Sequence, residues 1–239
     1  MPVLPDDPRA NRLLAALAPE DYAALAPHLR PVRLRQGQAL LEVGQPARQV
    51  WFPGECVVSL VSHLGDGRTA ETGTVGREGV VGFVSAMGGE RVVVHAVVQV
   101  PGTAWCLERG RFRAAFDERP RLREACLRFA GALIAQTLQS VACNAHHPVR
   151  GRLARWLLAL RDRTGGGALP LTHELLAEML GVQRTTVTGV MRTLQGEGLI
   201  RCHRGEVEVL DPAGLERAAC ECRALVKEQY ERLLPGAFA

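Results

Sequence analysis

Residues 171–200, LTHELLAEMLGVQRTTVTGVMRTLQGEGLI, carry apolar side chains at helical spacing on both sides of one glycine, a pattern that describes two short helices crossing at a tight turn. Leu171, Leu175, Leu176, Met179 and Leu180 give the first helix its apolar face, and Thr172 is its candidate N-cap. Gly181 ends it, because glycine adopts the left-handed conformation of a helix exit without steric cost, and Val182 is the apolar plug between the helices. Gln183 or Arg184 opens the second helix, in which Val187, Val190, Met191 and Leu194 share a face and Arg184, Thr185, Thr188, Gly189 and Arg192 fall outside it. Short or forked polar groups at the start of an exposed helix reach base edges and phosphates. Thr172, Gln183, Arg184, Thr185, Thr186, Thr188, Gly189 and Arg192 are therefore the candidate DNA contacts. Alternation over 199–202 and 207–210 around Arg204-Gly205 predicts a hairpin, a wing whose tip residues His203 and Arg204 would meet phosphate. A buried helical hairpin is the competing reading, and it leaves the coincidence of glycine turn and polar face unexplained.

At 239 residues two domains are expected, and 47% apolar content supports real cores. No run approaches the roughly 18–20 apolar residues of a membrane span, and the start MPVLPDDPRANRLL lacks the basic-then-apolar order of a secretory signal. A soluble, cytoplasmic chain with no membrane partner is expected. Seven cysteines, an odd number, point to reduced thiols rather than a disulfide framework. Net charge is +4, and from His146 onward 13 Arg and Lys stand against 11 Asp and Glu, so nucleic-acid binding has to rest on local placement.

The N-terminal half reads differently. After a helical lead-in over 11–29, short apolar alternations broken by glycine predict strands at 32–35, 39–41, 49–52, 56–63, 68–75, 92–100 and 104–107, with a Gly65-Asp66-Gly67 hairpin turn. That spacing signals a β barrel or jelly roll. A short helix over 109–116 follows, then Arg119-Pro120 opens a long one. In it Leu122, Cys126, Phe129, Leu133, Gln136 and Ser140 step by fours and threes as a coiled-coil seam does, and form the expected homodimer interface. Leu127, Ile134, Leu138 and Val141 make a second stripe; both stripes buried inside one chain is the alternative. Pro148 breaks the helix at a hinge, a helix over 149–163 follows, and Gly165-Gly166-Gly167 is a flexible joint.

This order of elements resembles the Crp/Fnr family of bacterial transcription regulators over nearly the whole chain, most specifically through residues 171–200 and the following RGEVEVLD. The expected class is α+β: an N-terminal double-stranded β-helix (jelly roll) over 1–118, a dimerisation helix over 119–147 and a winged helix-turn-helix over 148–239. The resemblance implies dimers on near-palindromic operators with half-sites about one helical turn apart, double-stranded DNA and RNA polymerase as partners, and a sensor domain tuned by a small molecule or redox group.

Two departures from the family pattern matter. Many members carry Arg-Glu-x-x-x-Arg on the recognition helix; Arg184 matches the first Arg, but Thr185 replaces Glu and Gly189 replaces the second Arg. Arg184 is left as the main candidate base reader. Cyclic-nucleotide binders hold phosphate with a Gly-Glu pair and an Arg-Ser or Arg-Thr pair. Here Gly82 matches, Phe83 stands for Glu, Val94 and His95 stand for Arg and Ser, and Arg91 lies three residues early. No cyclic nucleotide and no cofactor are expected, and the effector stays open.

Two alternatives stand beside this reading: a cyclic-nucleotide responder with an altered pocket, and a metal- or redox-responsive regulator. Fnr-like oxygen sensors cluster cysteines near the N-terminus, whereas the first here is Cys56. Cys220-x-Cys222, Cys143 with His146 and His147, and Cys202-His203 are soft ligands that could converge in the fold, and His63 and His95 are the haem candidates. Nucleophile, zinc-protease, phosphate-loop and dinucleotide motifs are absent, so an enzyme is not expected.

Overall fold

A computed structural model describes residues 7–66, 69–88 and 91–237. The alternating segments become antiparallel strands: β1 (Arg30–Leu34), β2 (Ala39–Leu41), β3 (Gln49–Pro53), β4 (Val57–His63), β5 (Thr69–Val75), β6 (His95–Val100) and β7 (Gly102–Glu108). They assemble into a three-stranded sheet of order β1-β7-β3 and a four-stranded sheet of order β2-β6-β4-β5. The inward residues of both sheets, among them Val50, Phe52, Val58, Val75, Ala96, Trp105 and Leu107, form one core. The lead-in is not one helix. Pro19 starts a second turn of helix, so α1 (Arg12–Ala15) and α2 (Pro19–Leu25) are separate. Asn11 caps α1 by accepting from the Leu14 N–H at 3.0 Å, and its buried amide donates to Pro53 O and Gly79 O, tying the lead-in to the roll. The strand expected from Val92 begins at His95; Val92 instead donates to Gln45 O and accepts from the Gly44 N–H, next to an isolated bridge between Arg91 and Pro46. Gly67 and Arg68, in the expected hairpin turn and strand start, lie outside the described residues.

A short helix, α3 (Phe83–Met87), interrupts the roll, and α4 (Arg109–Glu118) leads into α5 (Pro120–His146). Pro120 sits in the first turn of α5, where its missing N–H costs nothing. The stripe expected to pair two chains is turned inward: Leu122, Cys126, Phe129, Gln136 and Ser140 are buried on the protein's own roll, and Leu133 packs at its edge. The reason is steric and apolar together. Phe129 fits over Gly79 so closely that a Cβ there would overlap its ring, and the Phe83 ring meets it in a tilted contact. Leu127, Ile134, Leu138 and Val141 are 52–66% exposed, so the second stripe is the free one. By length and mean hydropathy α5 would pass as a bilayer span, contrary to the sequence expectation, yet one face is packed on the roll and its first turns carry Arg121, Arg123, Glu124 and Arg128.

Pro148 turns the chain out of α5, leaving His147 extended (φ −97°, ψ 142°), and α6 (Val149–Thr164) runs to Gly165-Gly166-Gly167, all at positive φ. Then come α7 (His173–Leu180), α8 (Arg184–Gly196), the hairpin β8 (Ile200–His203) and β9 (Glu206–Val209), α9 (Pro212–Ala218) and α10 (Cys222–Leu233). Leu169 pairs with Val207 through two 2.8 Å bonds and extends the hairpin sheet. A second core gathers Leu153, Trp156, Leu157, Leu160, Leu176, Met179, Val187, Met191 and Leu194. Val57, Val61 and Val100 of the roll belong to it as well, so the C-terminal head is seated on the four-stranded sheet. The buried Arg163–Glu78 pair (2.8 Å) crosses the same junction, with Gln136 of α5 accepting from Arg163 at 3.0 Å.

Candidate nucleic-acid interface

The head presents α8 because the turn before it is fully specified. The Thr172 hydroxyl accepts from the Leu175 N–H at 3.2 Å. At the other end Gly181 is left-handed (φ 63°), its N–H reaches Glu178 O and the Val182 N–H reaches Ala177 O, which together satisfy the last carbonyls of α7. Val187, Met191 and Leu194 anchor α8 inward, which leaves Gln183, Arg184, Thr185, Thr186, Gly189 and Arg192 exposed with Thr172 beside them. Thr188 departs from the expected face. It is half-buried, donates to Arg184 O at 3.0 Å and meets His173 Nδ1 at 3.0 Å, so it fastens α8 to α7. Gly189 has open space where a Cβ would stand, so packing does not demand glycine there. Arg184 Nε lies 2.8 Å from Glu174 Oε1, an ion pair in which both partners are more than half exposed. Such a pair contributes little and gives way readily to a phosphate or base.

Beside α8 the wing turns on Arg204 (φ 46°) and Gly205 (φ 82°) between the paired residues His203 and Glu206. Two successive positive-φ residues make the turn whose twist matches a two-residue hairpin, and they leave His203 and Arg204 exposed at the tip. Thr172, His173, Arg184, His203 and Arg204 line one cleft between the wing and the start of α8.

On the roll, the stretch expected to hold an effector is closed and apolar. Gly82 is left-handed (φ 88°) and packs against Gln49 O, and Phe83 is buried against Phe129 with ring centroids 5.4 Å apart. The cavity here, lined by Leu41, Leu60, Val75, Phe83, Val94 and Leu133 among others, is only about 60 Å³. Small-molecule pockets run to roughly 300–1,000 Å³. Arg91 donates to Gly44 O at 2.8 Å on the surface, and the His95 ring meets the His63 ring at a tilt with centroids 4.1 Å apart.

The junction between roll and head holds a half-buried carboxylate that sequence reasoning missed. Glu71 of β5 accepts from Ser59, from Thr74 Oγ1 at 2.9 Å and from Trp156 Nε1 of α6 at 2.8 Å. Burial pushes it above the ordinary glutamate value although these bonds favour the charged form.

Among the soft ligands, Cys143, His147, Cys220 and Cys222 converge, whereas His146 points to solvent and Cys202 and His203 remain in the wing. Cys56 and Cys126 are core thiols, each pushed up to about 12 by burial.

Residues 31–119 match the cyclic nucleotide-binding domain family and residues 151–218 the Crp-like helix-turn-helix domain family. The chain is 31% identical over 192 residues to the transcriptional regulator LdrP of Thermus thermophilus, covering 74% of this chain and 90% of that protein. It is 27% identical over 214 residues to a CRP-like cAMP-activated global transcriptional regulator of Mycobacterium tuberculosis, covering 87% and 96%. A solved CRP-family transcriptional regulator, also from Thermus thermophilus, superposes with a TM-score of 0.67 at 25% identity, over 79% of this chain and 96% of that one.

Proposed function

The chain belongs to the Crp/Fnr family of transcription regulators, and from that premise we propose that it acts as a homodimer on a near-palindromic operator and does not answer to cyclic nucleotides. It is a DNA-binding regulator, not an enzyme. We divide it into a sensor roll over 1–118, a dimerisation helix over 119–147 and a DNA-binding head over 148–239, working in the cytoplasm with RNA polymerase as a further partner.

The observation that carries the DNA reading is the exposed start of α8, Gln183-Arg184-Thr185-Thr186, set beside a wing tip bearing His203 and Arg204. In this geometry α8 enters the major groove and the wing follows the adjacent backbone. Arg184 can exchange Glu174 for a guanine edge, which a guanidinium grips with two bonds. Thr185 offers no carboxylate to a cytosine and Gly189 no side chain at all, so the operator differs from that of members with the fuller motif. Two-fold pairing through Leu127, Ile134, Leu138 and Val141 would set two heads about one helical turn apart.

Cyclic-nucleotide insensitivity rests on the filled pocket. A cyclic phosphate needs a charged fork, and the cavity beside Phe83, lined by apolar side chains and Ser85, has no charged side chain. The cAMP-activated relative from Mycobacterium tuberculosis shares the domain and not, on this reading, the trigger. Protection of genomic DNA by the purified protein, followed by a salt titration on the site found, tests the proposal: a two-half-site footprint with a steep salt slope is expected, and uniform sequence-independent protection would contradict it.

A further inference from the structure

The end of the dimer helix and the C-terminal helix share a cluster that neither DNA reading nor the effector pocket uses. Cys143 lies in the last turn of α5, His147 follows it by four residues on the same face, and Cys220 and Cys222 flank the start of α10. One donor atom from each, three Sγ and a ring nitrogen, lies within 4.8 Å of all the others. Cys143 Sγ is 3.4 Å from Cys220 Sγ, and Cys222 Sγ is 3.4 Å from His147 Nδ1. The sulfur pair is far beyond the roughly 2.05 Å of a disulfide. A tetrahedral zinc ion, with Zn–S of about 2.3 Å and Zn–N of about 2.0–2.1 Å, sets its ligands about 3.5–3.8 Å apart, close to both distances.

The surroundings are those of a metal site as well. Glu221, between the two cysteines, meets His147 Nε2 at 3.0 Å. With its proton held there, Nδ1 turns a lone pair into the cluster, the carboxylate–histidine arrangement that orients metal ligands. Gln139 Nε2 lies 3.0 Å from Cys222 Sγ, an N–H···S contact that suits a thiolate. Three thiolates on a divalent ion leave one negative charge, and the guanidinium groups of Arg152 and Arg155 act on Cys143 from α6. The Nε groups of both arginines are buried and have no hydrogen-bond partner among the described residues.

The backbone is shaped for the cluster. Pro148 forces His147 out of helical conformation, and Cys220 donates to Gly151 O at 3.3 Å, where a Cβ on Gly151 would stand 3.3 Å from the Cys220 nitrogen. Cys143 and Cys222 are 0% and 1% exposed, so the site is closed on its inner side. All four donors lie outside the two segments that match the family domains, 31–119 and 151–218.

We propose that Cys143, His147, Cys220 and Cys222 bind one Zn²⁺ as a closed tetrahedral structural site that clamps the end of α5 to the start of α10 across the Pro148 bend. Four protein donors leave no open position for catalysis. Binding releases the protons of three thiols, and a single ion rather than an iron–sulfur cluster fits donors this close together. The site is independent of the operator reading, since its occupancy is measured without DNA.

The test is the zinc content of the full-length protein, produced without an affinity tag and dialysed under reducing conditions. About one zinc per chain is expected, unchanged in Cys202→Ser, whose thiol lies in the wing, and reduced at least tenfold in Cys222→Ser and His147→Ala. Less than a tenth of an equivalent in the unmodified chain, or the same zinc content in all variants, would overturn the proposal. If a cluster variant fails to fold, Co²⁺ titrated into the unmodified reduced chain decides. Intense tetrahedral bands with thiolate-to-cobalt charge transfer support the site, and the weak spectrum of octahedral cobalt overturns it.

Discussion

Single residues carry both the reading of DNA and the response to pH. The Arg184 side chain pairs with the exposed Glu174, so Arg184→Ala leaves the fold intact and removes the proposed base-reading group. Its replacement should weaken specific binding by about 1–3 kcal/mol and relax sequence preference at one operator position. Fluorescence anisotropy with operator and scrambled duplexes measures this, and equal affinities for the two proteins on the operator would remove Arg184 from that role. Glu71 gives the pH prediction. Its folded value lies above the ordinary 4.5, so the folded state holds its proton more tightly than the unfolded chain. The stability this provides is complete below about pH 4.5 and is lost as pH rises through the raised value. Glu71→Gln keeps an acceptor for Trp156 without a charge to desolvate. Urea midpoints between pH 4 and 8 should therefore fall with pH in the unmodified protein relative to Glu71→Gln, and parallel curves would refute the assignment.

At the scale of elements, α5 is the part whose sequence allowed two answers. Its two stripes are both apolar and both obey heptad spacing, and periodicity cannot say which one meets the roll. The close fit of Phe129 over Gly79 decides it, a contact between residues 50 positions apart in the chain. The free stripe makes a prediction: Leu138→Glu should convert a dimer into a monomer in sedimentation velocity while keeping the helical signal, and an unchanged mass would move the interface elsewhere. The helix pair α7 and α8 and the wing were legible because local chemistry, a threonine cap, a left-handed glycine and a 3.6-residue period, determines them. Thr188 was misread, since the outer face of a helix includes flanks that a neighbouring helix covers, and only His173 across the turn reveals it. The helices α9 and α10 went unread although Asp211-Pro212, a cap followed by an N1 proline, announces the first. The soft ligands were legible as residue types, but choosing His147 over His146 required the extended conformation that Pro148 imposes.

In the whole molecule the roll and the head are locked together by apolar packing and the buried Arg163–Glu78 ion pair. Val57, Val61 and Val100 enter the head's core, Gln36 donates to both Gln99 O and Pro170 O, and Arg163 reaches Glu78 where both are almost fully buried. Removing one partner strands a charge, so Glu78→Gln should cost about 3 kcal/mol in global stability by chemical denaturation; a loss under about 0.5 kcal/mol would show that the junction does not depend on this pair. On the roll, Phe83 is buried and leaves a cavity of only about 60 Å³ beside it. Calorimetry with cAMP and cGMP should accordingly show no micromolar binding, and a micromolar isotherm would contradict the filled-pocket account. The most direct test of the central claim is a genomic footprint made in parallel with the unmodified protein and Arg184→Ala. The account predicts discrete near-palindromic sites with half-site centres about one helical turn apart, lost in the variant. Sites with a single half-site, or an identical footprint for both proteins, would contradict it.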